Sequence, residues 1–320
     1  MVDSNRIKEL VMTSSKVIIT SHKDIDMDAL GSALGIYYIC NNFDKDTHLI
    51  IEDEKHEPEV RRALSKLKRK DKIIPTTYEI IKEEIDDNTL LVITDTNKSN
   101  RIQNEELLNI KNKILIDHHV ESEDSIQELT YKYLDTNESS SVEIVMNLIN
   151  NLNIYIPSYV ATIMLAGIYI DTSSFTLKTN ENTHLCAATL YKFDANAKEL
   201  KYLLKQNFGR YQKRQKLIIK TEFYDKIAIT TGGKIIYDNT ELAKASDALL
   251  TFNNVEASFT IGRLNKETIG ISARSLGSID VQKIMAFFKG GGHKTDAAAQ
   301  IKGKDVEIIK EKLLKYIRGM

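Results

Sequence analysis

The sequence has no apolar run approaching the roughly 18 uninterrupted residues that a membrane helix needs. Its first stretch, MVDSNRIKELVMTSSKV, also lacks the apolar centre of a secretory leader. Both absences lead to the expectation of a cytoplasmic chain. Cysteine is scarce: only Cys40 and Cys186 occur, each among apolar residues, which reads as two buried free thiols in a reducing compartment rather than a disulfide. Neither sign of charge dominates, with 44 Lys plus Arg against 45 Asp plus Glu. The global basic field suited to long nucleic acid is therefore missing, and a small anionic substrate in a local pocket is still allowed. Low-complexity tracts, heptad arrays and solenoid-length repeats are absent as well. What is there is a globular chain of 320 residues, 42% hydrophobic, enough for real cores in about two domains.

Glycine is sparse early and frequent late. Of the 14 glycines only Gly31, Gly35 and Gly167 precede residue 200. In the early part the short apolar runs KVIIT, THLII, LLVIT and NKILI alternate with helical patterns such as DALGSALGIYYICNN and EVRRALSKLKR. Strands without polar alternation, separated by helices, indicate an α/β, doubly wound parallel sheet covered on both faces. The stretch NAKELKYLLKQNFGRYQKRQKLIIKTEF predicts one long amphipathic connector helix, and DKIAITTGGKIIYDN predicts two strands around a Gly-Gly turn. The expected organisation is a catalytic domain over 1–194, a helical connector over 195–222 and a smaller α+β domain over 223–320. A cleft between the two domains is the expected place for substrate.

Side chains that do chemistry gather outside the carboxyl ends of parallel strands. His22, Asp26 and Asp28 follow KVIIT, Asp95 follows LLVIT, and Asp117, His118 and His119 close NKILI, while Asp171 ends the apolar run AGIYID. Three strands and one helix thus deliver acids and imidazoles to one edge. Such carboxylates repel one another unless positive charge compensates them, and divalent cations are the natural remedy. Carboxylate with a few imidazoles and no thiolate disfavours structural zinc and suits Mn²⁺, with Mg²⁺, Co²⁺ or Fe²⁺ compatible. Two such ions cleave phosphoesters. Taken singly, Asp28 before ALGSALG reads as a helix cap and Asp95 and Asp171 as turn or cap residues. Their convergence with the Asp-His-His run favours the functional reading.

The motifs HKDIDMDALGS, TDTN, DHH, SSSVEIV and AGIYIDTSSF, in this order, resemble the DHH phosphoesterases, which include RecJ-type exonucleases and nanoRNase/pAp phosphatases. IGISARS and FFKGGGHKTDAAAQ resemble the DHH-associated substrate-binding domain. FGRYQKRQKLIIKTEFYDKIAIT and ASDALLTFNNVEASFTIGR look most like the catalytic half of GdpP-type cyclic-di-AMP phosphodiesterases. The resemblance implies one ion on His22, Asp26 and Asp95, and a second on Asp28, Asp95, His118 and Asp171, with Asp95 as the bridge. It implies His119 beside the scissile phosphate, Asp117 orienting the histidine pair, and Arg274, Ser272, Gly290, Gly291, Gly292 and His293 on the substrate. The implied substrate is a cyclic dinucleotide, or alternatively a short linear one, handled by a homodimer. The three glycines before His293 also read simply as a loop, and Ser139, Ser140 and Ser141 as a helix cap. His48, His56 and His184 match no motif, and GRYQKRQK reads as a solvated face. Relatives of this type carry membrane helices and a sensor upstream, so the resemblance implies either a fragment of a membrane-anchored protein or a stand-alone form.

Overall fold

The computed structural model describes residues 2–52, 56–70, 73–303 and 305–319. Two compact units make up the chain, Met1–Lys205 and Gln206–Met320.

The first unit runs α1 (Ser4–Thr13), β1 (Val17–Thr20), α2 (Met27–Asn42), β2 (Thr47–Leu49), α3 (Pro58–Lys70), α4 (Tyr78–Ile81), β3 (Leu90–Thr94), β4 (Asn112–Asp117), β5 (Tyr131–Leu134), α5 (Ser141–Leu152), α6 (Ser158–Asp171), α7 (Glu181–Lys192) and α8 (Ala197–Leu203). Its strands form one all-parallel sheet in the order β2-β1-β3-β4-β5. Successive strand residues serve opposite faces. Val17, Ile19, Val92, Ile114 and Ile116 pack with α2, α5 and α6, while Ile18, Leu91, Ile93 and Leu115 pack with Ile81, Ile102, Leu107 and Ile126. Both faces are apolar, which explains why the strand sequences show no alternation. The edge strand β5 has no fully buried residue in YKYL, so it lacks the apolar run by which the other strands are recognised. β1 has its sequence neighbour β2 on one side and β3 on the other, so the order reverses there and opens a crevice at the carboxyl ends of β1 and β3.

The second unit runs α9 (Phe208–Ile218), β6 (Glu222–Tyr224), β7 (Ile227–Ile236), α10 (Asn239–Leu249), β8 (Ala257–Arg263), β9 (Thr268–Ser275), α11 (Val281–Phe287), β10 (Gly291–Gly292), β11 (Asp296–Lys302) and α12 (Val306–Arg318). Its six strands form a mixed sheet, β10-β11-β9-β8-β7-β6, in which β7 and β8 run parallel and the other neighbours antiparallel. Phe259, Ile261 and Ile271 pack under α11 and α12. This is the α+β arrangement expected.

Two local expectations are corrected. The stretch expected as one connector helix forms α8, α9 and strand β6. α8 stops because the Arg62 guanidinium takes the carbonyls of Leu203 and Lys205, and α9 begins afresh where the Asn207 side chain accepts the Arg210 N–H at 3.0 Å. Gly232-Gly233 does not reverse the chain. Gly233, at φ +58°, lies within β7, whose pairing with β8 shifts register between Thr231 and Ile236, and the reversal occurs at Asp225, φ +51°. Among the described residues no helix is long and apolar enough to cross a membrane.

The three early glycines let α2 lie close to α5 and α6. A Cβ on Gly35 would stand 2.5 Å from Val145 Cγ1, and one on Gly167 would stand 2.9 Å from both the Met27 carbonyl oxygen and the Asp28 Cα. The latter are backbone atoms at the start of α2, which cannot swing aside as a side chain can. Gly167→Ala is therefore expected to destabilise the chain by roughly 1–3 kcal/mol, read as a lower urea midpoint; an unchanged midpoint would show that the contact relaxes without cost.

Candidate metal centre

The crevice between β1 and β3 is lined by acids and imidazoles held largely by backbone. Asp26, not Asp28, caps α2: its Oδ1 accepts the N–H groups of Asp28 and Ala29, both at 3.0 Å. The capping role weighed against a ligand role for Asp28 thus belongs to Asp26. Asp28 instead lies in the first turn, 1% exposed, and its oxygens accept the N–H groups of Ser141 (2.7 Å) and Val142 (3.0 Å) at the start of α5. The helix dipole adds to this, because a carboxylate at a helix N-terminus is favoured. Asp117 is fully buried at the end of β4, and its Oδ1 accepts the backbone N–H groups of His118 (2.8 Å) and His119 (3.2 Å). Asp95 follows β3 in the left-handed region, φ +61°, a conformation more readily adopted by Asp than by most residues.

Asp95 faces two groups at once. Its Oδ2 lies 3.4 Å from His22 Nε2, which is 3.5 Å from Asp26 Oδ2. Its Oδ1 lies 3.4 Å from His118 Nε2, which is 3.8 Å from Asp171 Oδ2 and 3.9 Å from Asp28 Oδ2. Donor atoms of His22, Asp26 and Asp95 converge, as do those of Asp28, His118 and Asp171. Most of these separations are too long for good hydrogen bonds, whereas donors each about 2.1 Å from one small cation stand roughly 3–4 Å apart. The imidazoles are turned to match. His22 Nδ1 is within 2.6 Å of the Lys23 carbonyl and His118 Nδ1 within 3.4 Å of the Glu138 carbonyl, so a proton on Nδ1 leaves each Nε2 lone pair toward the acids. His119 differs: its Nδ1 pairs with Asp117 Oδ1 at 2.8 Å, and its ring is 41% exposed, with Nε2 left for a ligand outside the cluster.

The electrostatics show the strain of this assembly. Burial, then the Asp95, Asp171 and Asp26 charges, push the Asp28 carboxyl well above its usual range, and burial with Asp26 and Asp95 does the same to Asp171. For Asp95, burial works upward but is outweighed by the adjoining imidazoles of His118, His22 and His119, which hold it well below the usual range. Burial alone would depress the two imidazoles; the adjoining carboxylates instead raise His118 to about 9 and His22 well above the ordinary value. Asp117 Oδ2 is buried with no hydrogen-bond partner. Without an ion, the cluster draws protons onto its histidines for lack of other positive charge. The carboxylate–imidazole donor set, the converging lone pairs and this unmet negative charge fit divalent cations.

The fold and the motif residues coincide with a known family. The model of the DHH family N-terminal domain matches residues 16–168, and that of the DHHA1 domain matches 223–319. The chain belongs to the DHH family. It is 37% identical over 331 residues to the cyclic-di-AMP phosphodiesterase GdpP of Bacillus subtilis (strain 168), covering 99% of this chain and 50% of that relative. Identity to the cyclic-di-AMP phosphodiesterase PdeA of Listeria monocytogenes is 33%, over 99% of this chain and 49% of that one. The chain thus spans about half the length of the curated relatives it matches. An exopolyphosphatase-related protein from Bacteroides fragilis shares the fold, with a TM-score of 0.81 at 22% identity over 98% of this chain and 96% of that one. DHH-family phosphoesterases use divalent metal, in keeping with the donor groups of the DHH domain.

The residues expected to touch substrate lie in the DHHA1 domain. Arg274, on β9, is gripped by two carboxylates: Nε donates to Asp247 at 2.8 Å and Nη1 lies 2.8 Å from Asp296, while Ser272 Oγ accepts from Nη1 at 3.3 Å. The glycine run is part strand, β10 pairing with β11, and a Cβ on Gly290 or Gly292 would stand 2.2–2.3 Å from backbone oxygens. Packing therefore demands these two, and only Gly291 faces open space. His293 donates its N–H to the Asp296 carbonyl at 2.5 Å. Ser141 is the residue that motif reading missed. Ser140 does cap α5, accepting the Glu143 N–H at 3.4 Å, but the Ser141 hydroxyl donates to Asp95 Oδ1 at 3.1 Å.

Because the adjoining carboxylates raise His118 to about 9 and His22 well above the ordinary imidazole value in the ion-free chain, cation binding to these nitrogens is expected to displace protons. Adding Mn²⁺ to chelator-treated protein at pH 7 in weak buffer is expected to acidify the solution, and affinity is expected to fall as pH is lowered. A titration without proton release would mean that neither imidazole meets the ion.

Proposed function

We propose that the chain is a two-metal phosphodiesterase that opens cyclic di-AMP to linear pApA. The observation that carries this reading is Asp95, whose two oxygens face separate donor groups. In this reading His22, Asp26 and Asp95 hold one ion, and Asp28, Asp95, His118 and Asp171 hold the other. Mn²⁺ is the proposed metal, since carboxylate and imidazole without thiolate suit it. Bound there, the two ions supply an acidified water and a clamp on the attacking and leaving oxygens.

The protein's own groups do the rest. In its imidazolium form His119 donates from Nε2 to the phosphate oxygen on which charge develops, while Asp117 Oδ1 accepts from Nδ1 and holds the ring. Arg274 keeps its guanidinium plane fixed between Asp247 and Asp296, ready to meet a phosphate or a base edge, and Ser272, Gly290, Gly291, Gly292 and His293 of the same domain complete the substrate contacts in this reading. Support for the cyclic substrate comes from the activity named for the Bacillus and Listeria relatives, which are 37% and 33% identical. A homodimer in the cytoplasm, with or without a membrane-anchored upstream part, belongs to the same proposal.

Incubation with cyclic di-AMP, pApA and pAp under Mn²⁺ tests the substrate. Turnover of the cyclic compound is expected; rapid turnover of the two linear ones without it would overturn the reading in favour of a short-oligonucleotide or pAp hydrolase. Binding of cyclic di-AMP without hydrolysis at saturating Mn²⁺ would make the chain a sensor. Asp95→Ala is expected to cut turnover at least about a hundredfold with an unchanged circular dichroism spectrum, and substantial residual turnover would refute Asp95 as the bridge.

A further inference from the structure

We infer that Ser141 is a positioning residue for the shared carboxylate. The inference rests on the reading of Asp95 as the ligand between two ions. Ser141 is fully buried at the first turn of α5, and the capping task there belongs to Ser140. Its hydroxyl is free for another partner and donates to Asp95 Oδ1 at 3.1 Å, while its N–H donates to Asp28 Oδ2 at 2.7 Å. One residue therefore ties together a carboxylate facing both donor groups and a carboxylate of the second group.

The physical need for such a tie is specific. The terminal torsion of an aspartate is soft, without the three sharp wells of an sp³ bond. Rotation about it would tilt Oδ1 away from His118 and Oδ2 away from His22, and both separations are 3.4 Å as they stand. The hydroxyl hydrogen bond fixes the carboxylate plane. It also returns some positive charge to Oδ1 in a pocket where Asp28 and Asp171 both repel Asp95. Helix α5 supplies no other side-chain hydrogen bond to Asp95 among the described residues.

Mn²⁺ binding to the full chain, followed by electron paramagnetic resonance and calorimetry, tests this without recourse to activity. Ser141→Ala is expected to keep the circular dichroism spectrum and to bind Mn²⁺ about 10–100-fold more weakly. Ser140→Ala, which removes only the cap, is expected to lower the melting temperature of the chelated chain while leaving Mn²⁺ affinity within about twofold. Ser141→Thr and Ser141→Val share the added bulk and differ in the hydroxyl, so Thr is expected to bind more tightly than Val even if Ala folds poorly. Two ions bound by the parent with equal affinity in Ser141→Ala, or in Thr and Val, would overturn this inference alone. A parent that takes up fewer than two ions would overturn the two-metal reading and this inference with it.

Discussion

Repulsion among Asp26, Asp28, Asp95, Asp117 and Asp171 is the interaction around which the first unit is arranged. These acids arrive from the ends of β1, β3 and β4 and from α2 and α6, and only three imidazoles stand among them. The unequal count shows in how the acids titrate: Asp95, beside the histidines, is held ionised, while Asp28 and Asp171 are pushed toward the neutral form. Protons can relieve part of this stress, but each neutralises one charge and occupies a lone pair. A dication brings two charges to one point and uses those lone pairs instead.

Holding like charges together requires fixings that do not give way, and main-chain groups provide them here. Asp26 is tied to the first amides of α2, Asp28 to those of α5, and Asp117 to the amides that follow β4. His22 is braced from both sides, by the Lys23 carbonyl at its ring and by Gln103 Nε2 on its own carbonyl at 2.6 Å. Helix ends and strand ends are the two places where a chain has spare N–H groups, so the same topology that forms the crevice also furnishes its clamps. The close contact at Gly167 joins these clamps to the seam between α2 and α6, whose last residue is Asp171.

The parts legible in the sequence were those with a local or repetitive signal. Buried strands without polar alternation revealed the parallel sheet, and acids placed after those strands revealed its functional edge. The motifs in their order point to the family. Less visible were features whose cause lies elsewhere in the fold. Arg62, far from residue 203 in the chain, takes the carbonyls at the end of α8, a partner that the local sequence does not reveal, and the Asn207 cap of α9 was the one local sign of the break. β5 sits at an edge and lacks a buried run. Ser140 and Ser141 look alike as cap candidates, because a hydroxyl's partner across the fold leaves no trace in its neighbours. The glycines at 290 and 292 add a requirement that the run itself does not reveal, since backbone packing against β11 leaves no room there for a Cβ.

The spread of the cluster along the chain, from His22 to Asp171, has a bearing on biosynthesis. A ribosome releases the amino end first, so His22, Asp26 and Asp28 emerge well before the segments that bring His118 and Asp171. Until α6 clears the exit tunnel there is no second half to complete the pocket and no α6 to lie against α2 at Gly167. Completion of both donor groups is thus a late event in synthesis: His22, Asp26 and Asp95 are all released early, whereas the group of Asp28 and His118 lacks its last carboxylate until Asp171 has emerged.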